Sequence, residues 1–140
     1  MFPMLRARYI DTGKVRFIFR EFPLDVKAAA ASALARCIAK EDAEKYLAVV
    51  ATMYQQLDVL LARTKDTLNQ IGQQNGMSEP EVRACATDQA MLEKLGMDRQ
   101  YAHETLKVDS TPTFFVNGQR LKGAMSFEEL EAIIKPMLKR

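Results

Sequence analysis

A short hairpin signal near the C-terminus, in an otherwise largely helical pattern, most constrains what this chain can fold into. The apolar segment Thr113–Val116 is typical of a buried strand, and Asn117 with Gly118 forms the strongest two-residue signal for a hairpin turn. The segment Gln119–Lys122 then predicts a short, charged return strand at a sheet edge. Pro112 stands directly before the first strand. This combination predicts an α/β fold with a small sheet.

The middle of the chain, residues 26–106, carries helical signals throughout. Ser78 and Glu81 fit a capping box at the start of one helix, and Ser126 with Glu129 fits a second one before an amphipathic C-terminal helix. Residues 41–61 carry an apolar stripe at helical spacing that we expect to face inward. The stripe consists of Tyr46, Leu47, Val50, Tyr54, Leu57 and Leu61.

The N-terminal 25 residues predict a helix followed by a strand. Apolar residues recur at helical spacing over residues 1–10, and Gly13 predicts a left-handed turn after them. Residues 15–20 predict a strand, and the apolar run through Ile18 predicts partial burial on both of its faces. We therefore expect three parts, formed by residues 1–25, 26–106 and 107–140.

Composition and charge exclude several classes of protein. The 140 residues include 20 Lys plus Arg and 18 Asp plus Glu, so the net charge of +2 argues against a dedicated binder of nucleic acid or of an anionic membrane. No apolar run approaches the ~18 residues that span a bilayer, and residues 1–10 lack the apolar core of a secretory signal. One His and two Cys cannot form a Cys/His zinc cluster, and we expect no metal and no cofactor.

The two cysteines, Cys37 and Cys85, lie far apart in the sequence and form no Cys-x-x-Cys motif. In a reducing compartment such a pair is usually two buried free thiols, whereas in an oxidising compartment it is usually a disulfide. The residues alone leave both readings open.

Several segments together resemble the DsbA-like thiol:disulfide oxidoreductases, which combine a thioredoxin fold with a helical insertion. Residues 110–118 read Ser-Thr-Pro-Thr-Phe-Phe-Val-Asn-Gly, and they are followed by Lys-Gly-Ala at 122–124 and by Ser-Phe-Glu-Glu-Leu at 126–130. Residues 7–25 are similar to the segment after the active-site helix of that family. The resemblance covers nearly the whole chain. It implies a truncated thioredoxin-like sheet, with residues 1–25 and 107–140 as its two parts and residues 26–106 as the all-helical insertion.

The resemblance also implies a substrate-binding loop formed by Ser110, Thr111 and Pro112. In this family the peptide bond before the proline is cis, and the backbone of the preceding residue pairs with an extended segment of a protein or peptide substrate. The alternative is an ordinary trans proline at the start of a strand.

For the cysteines, the resemblance implies a structural disulfide between Cys37 and Cys85, because some DsbA-like proteins carry a second, non-catalytic bridge in the helical insertion. We expect their Cα atoms to lie about 4.4–6.8 Å apart, as disulfide geometry requires. Two free thiols or a redox-active pair are the alternatives.

The chain departs from the family where the chemistry resides, since the family's Cys-x-x-Cys and the strand that leads to it have no counterpart here. We therefore predict a DsbA-like disulfide oxidoreductase whose catalytic residues are missing from this chain. By itself the chain should have no dithiol activity. A non-catalytic peptide-binding or dimeric assembly module is the alternative, and a glutathione-using relative of the same fold is a weaker one. The resemblance implies a periplasmic or exported protein.

A missing central strand would leave two strands, residues 15–19 and Thr113–Val116, with unpaired edges. Because unpaired buried backbone groups are costly, we expect a second copy to cover them and give a homodimer. Direct pairing of the two strands within one chain is the alternative.

Overall fold

The structure, a computed structural model, describes residues 1–138. Eight α-helices, one π-helical turn and two strands follow one another along this part of the chain. The elements are α1 (Phe2–Leu5), the π-helix Arg6–Ile10, α2 (Val26–Ala39), α3 (Ala43–Gln55), α4 (Leu57–Ala62), α5 (Thr64–Gln74), α6 (Glu79–Ala86), α7 (Gln89–Glu104), β1 (Thr113–Val116), β2 (Gln119–Lys122) and α8 (Phe127–Leu138).

These elements form two compact units, each with its own hydrophobic core. The first unit combines Met1–Arg20 with Ala102–Arg140, and the second consists of Glu21–Tyr101. The division falls within α7, near its C-terminal end.

The first unit contains the predicted hairpin, in which β1 and β2 pair antiparallel with Phe114 opposite Leu121 and Phe115 opposite Arg120. Asn117 and Gly118 both have positive φ angles, as the turn requires. Since side chains alternate along a strand, one face of the hairpin turns Val116 and Leu121 toward the core. The buried residues of this core are Leu5, Tyr9, Phe127, Leu130 and Ile134.

The strand predicted for residues 15–20 is not formed, so the sheet is smaller than expected. Within residues 1–138 the sheet consists of β1 and β2 alone, so residues 15–20 have no neighbouring strand with which to form a ladder. Val15 and Phe17 pack against the core of the first unit. Ile18, however, is 55% exposed, which overturns the expected burial on both faces. The alternative of direct pairing between residues 15–19 and β1 is also not found in the described part of the chain.

The regular elements of the second unit are all helices, and several of them begin at a side chain that caps the helix. Asp25 accepts a hydrogen bond from the N–H of Ala28 at the start of α2, and Asp42 does the same for α3. Ser78 and Glu81 form the predicted capping box of α6. The buried residues of this unit's core are Ala31, Leu34, Ala35, Ile38, Val49, Met53, Leu60, Leu68, Ile71 and Val82.

The stripe predicted for residues 41–61 is wrong in part. The structure buries Val49, Met53 and Leu60, whereas Tyr54 is 65% and Leu61 48% exposed. The helix also breaks at Gln56 into α3 and α4. Because Tyr54 precedes the break, its exposure follows from how α3 packs in the second unit and not from the break.

None of the helices described over residues 1–138 is both long and apolar enough to cross a membrane.

Candidate functional site

The loop before β1 contains the three residues assigned to substrate binding, and all three are exposed. Ser110, Thr111 and Pro112 lie next to each other on the surface of the first unit, and the peptide bond between Thr111 and Pro112 is cis. The Thr113 hydroxyl donates to the carbonyl of Ser110 at 2.6 Å. The N–H of Gly123 donates to the carbonyl of Pro112 at 2.9 Å. Pro112 is therefore hydrogen-bonded to the residue that follows β2, which ties the loop to the hairpin.

Thr111 differs from its neighbours in that its backbone polar groups are unused. Among the described residues, neither its N–H nor its carbonyl has a hydrogen-bond partner. Both groups lie just before β1, whose one ladder runs to β2. An exposed N–H and C=O in line with a strand can accept an additional extended segment.

The segment that leads into this loop is anchored by one buried residue and by the end of α7. Val108 is 7% exposed, and its N–H donates to the carbonyl of Ala102 at 3.0 Å. Nδ1 of His103 lies 3.0 Å from the Val108 carbonyl, close enough for a hydrogen bond. An open surface cavity of about 360 Å³ lies here, lined by His103, Glu104, Lys107 and Asp109.

Two basic side chains of β2 reach the same segment. The Arg120 guanidinium donates from Nη1 to the Lys107 carbonyl at 2.8 Å, and the Lys122 ammonium donates to Oδ2 of Asp109 at 2.9 Å. The Lys122 ammonium holds the pKa of Asp109 below its usual value. These contacts were not predicted from the sequence. The sequence shows that the return strand is charged, but it does not show which segment the charged side chains contact.

In the second unit Cys37 and Cys85 form a disulfide that joins α2 to α6. Their Cα atoms are 5.9 Å apart, which lies within the interval expected for a bridge. Cys37 belongs to the last turn of α2 and Cys85 to the last turn of α6. Both sulfur atoms therefore lie near helix C-termini, where the backbone carbonyls disfavour a negative charge.

A charged cluster around Glu21 was also not predicted from the sequence, and it includes Arg36, the residue directly before Cys37. The Glu21 side chain is 7% exposed and accepts from Nε and Nη2 of Arg36 at 2.7 and 2.6 Å, and from the Tyr46 hydroxyl. Burial would raise the pKa of Glu21, but the hydrogen bonds from Arg36 and Tyr46 outweigh it and lower that pKa. Burial and the Glu21 carboxylate raise the pKa of Tyr46.

No group of three or more His, Cys, Asp and Glu side chains is arranged to hold a metal ion within the described 138 residues. The loop before β1 offers the exposed backbone N–H and carbonyl of Thr111 for hydrogen bonding, next to a segment that Arg120 and Lys122 contact.

Comparison with known proteins places these features in a family. Residues 1–136 match the sequence model of a family described as thioredoxin. Among curated proteins, the chain is 33% identical over 120 residues to a "Putative protein-disulfide oxidoreductase" of Rickettsia bellii, covering 84% of this chain and 46% of that protein. A protein of the same description from Rickettsia typhi is also 33% identical over 120 residues, with 84% of this chain and 44% of that protein covered. The chain thus spans about half the length of these relatives.

Among solved structures, the crystal structure of Wolbachia pipientis α-DsbA1 is similar to this chain with a TM-score of 0.87 and 25% sequence identity. The similarity covers 99% of this chain and 75% of that one.

Proposed function

This chain belongs to the thioredoxin family, as a DsbA-like member with a helical insertion, and from that premise we propose that it serves protein disulfide exchange by binding extended substrate segments. Ser110, Thr111 and Pro112 form the binding loop. The Thr111 backbone pairs with the substrate as an added strand would. The proposal rests chiefly on one observation: the N–H and the carbonyl of exposed Thr111, directly before β1, have no hydrogen-bond partner among residues 1–138.

The redox step itself needs a thiolate at a helix N-terminus and a second thiol one turn further on. Cys37 and Cys85 meet neither requirement, because they are bonded to each other and lie at helix C-termini. We therefore assign them a structural role and propose that these 140 residues, by themselves, have no dithiol activity. A disulfide of this kind suits an oxidising compartment, such as the periplasm or the cell exterior.

Binding is tested by titrating ¹⁵N-labelled protein with S-alkylated insulin B chain, an extended peptide that cannot exchange disulfides. The amide resonance of Thr111 should shift as its N–H gains a partner, while that of Gly118, at the far end of the hairpin, should not. Thr111→Pro removes the donor and should weaken binding, whereas Thr111→Ala keeps it and should bind like the wild type. Equal binding by all three proteins would refute this role of the Thr111 backbone.

A second candidate function is a non-catalytic peptide-binding or assembly module that forms a homodimer. The observation that favours it is the outer edge of β1, because β1 pairs with β2 alone in the sheet described for residues 1–138. Static light scattering at micromolar concentration distinguishes the dimer from a 15.8 kDa monomer. A monomer at all concentrations would remove this candidate.

A further inference from the structure

The segment from Lys107 to Thr111 carries the binding loop but belongs to no helix or strand. Lys107 itself has a φ of +61°, a left-handed conformation that a residue with a side chain adopts only when its surroundings hold it there. Asp109, Ser110 and Thr111 are exposed, so packing against the core cannot fix them. Hydrogen bonds hold part of this loop, since the Thr113 hydroxyl donates to the Ser110 carbonyl and the N–H of Val108 donates to the carbonyl of Ala102.

Two residues of β2 add side-chain contacts to this segment. Arg120 and Lys122 are two positions apart on the strand, so their side chains leave from the same face. They bind Lys107 and Asp109, which are also two positions apart on the loop, at 2.8 and 2.9 Å. The opposite face of β2 carries Leu121, which packs against the buried core. The strand thus rests on the core with one face and contacts the loop with the other.

From this geometry we infer that Arg120 and Lys122 are positioning residues, which hold the loop of Ser110, Thr111 and Pro112 in its binding conformation. Arg120 supports the left-handed backbone at Lys107, and Lys122 fixes Asp109, the residue directly before Ser110. A loop ordered in advance binds with a smaller loss of conformational freedom, so these two side chains act on substrate affinity without touching substrate. The inference rests on the proposed binding function, although the ordering of the loop can be measured without any peptide.

The experiment compares Arg120→Ala and Lys122→Ala with the wild type by ¹⁵N relaxation of the free protein. We expect the order parameters of Ser110 and Thr111 to fall from about 0.85, typical of rigid backbone, toward about 0.6. Affinity for S-alkylated insulin B chain should fall about three- to tenfold in the same variants. Lys94→Ala is the matched control, since Lys94 forms an equally exposed ion pair with Asp98 at 2.9 Å on α7.

A charge exchange separates positioning from a loss of general stability. Asp109→Lys alone places two like charges together and should loosen the loop further, whereas Asp109→Lys combined with Lys122→Asp should restore order and affinity. Unchanged order parameters in Arg120→Ala and Lys122→Ala would overturn the inference. If no variant and no wild type binds the peptide while the order parameters fall as expected, the proposed function fails and the positioning role stands.

Discussion

Among single residues, Glu21 shows most clearly how an ionised side chain is accommodated away from water. Its carboxylate is nearly buried and receives three hydrogen bonds from two side chains, Arg36 and Tyr46. Arg36 also approaches Asp98 at 4.0 Å. A buried carboxylate is tolerated because such partners replace the water it has lost.

Arg36→Gln leaves Glu21 buried without its cation, and we expect a loss of about 3 kcal/mol in the free energy of unfolding. Urea denaturation followed by circular dichroism measures this loss. Arg83→Gln is the matched control, because the ion pair of Arg83 with Glu79 is solvent-exposed and such pairs contribute about 0–1 kcal/mol. Equal losses in the two variants would contradict the importance of burial.

The lowered pKa of Glu21 also predicts a dependence on pH. Since its pKa is lower in the folded than in the unfolded chain, its stabilising contribution is present above about pH 4.3 and is lost as the pH falls through the folded value. We compare the wild type with Glu21→Gln in urea at pH 7 and at pH 3. The wild type should be the more stable protein at pH 7, and the difference should narrow at pH 3. A difference of the same size at both pH values would argue against an ionised Glu21.

Among the secondary structure elements, the contact of α5 with α6 depends on a residue without a side chain. Gly72 is buried near the end of α5, and a methyl group there would overlap with Cγ2 of Val82 on α6. Val82 is itself 2% exposed and cannot easily move aside. The two helices approach each other closely because Gly72 allows it.

We expect Gly72→Ala to destabilise the protein by about 1–3 kcal/mol, as overpacking does. The same substitution at Gly96 tests the opposite case, because a Cβ atom at that exposed position of α7 meets nothing within 4 Å. Gly96→Ala should stabilise the protein by about 0.5–1 kcal/mol through helix propensity. Thermal unfolding of both variants shows the sign of each effect, and destabilisation by both would mean that Gly96 also has a packing role.

Residues 15–20 illustrate a second point about elements. Val15 and Phe17 pack against the core of the first unit, whereas Ile18 is 55% exposed. A strand, however, needs a neighbouring strand, and the sheet described within residues 1–138 consists of β1 and β2 alone. An apolar run in the sequence predicts burial, but it does not specify a neighbouring strand.

For the whole molecule, the proposed absence of dithiol chemistry in these 140 residues is directly measurable. In the insulin reduction assay with dithiothreitol, the protein should not accelerate precipitation above the buffer rate, because neither cysteine provides an activated thiolate. Acceleration that disappears in Cys37→Ser or Cys85→Ser would make this pair catalytic. Acceleration that persists in both variants would place the reactive group elsewhere in the chain.

Short-range patterns in the sequence predicted much of this molecule correctly. The Asn117-Gly118 hairpin and the capping box at Ser78 depend on residues a few positions apart, and the structure contains both. The family resemblance, carried by residues 7–25 and 110–130, indicated the thioredoxin fold with its helical insertion that the comparisons support.

Tertiary structure alone decided the features that join distant residues. Packing within the second unit decides that Met53 is buried and Tyr54 is exposed, and the partnership of Glu21 with Arg36 and Tyr46 brings together groups from separate elements. The same is true of the contacts from β2 to the loop before Pro112. Capping and turn signals arise from neighbouring backbone atoms and are therefore visible in a single sequence. Burial and charge pairing depend on which surfaces meet when the chain is folded, and no local pattern specifies that.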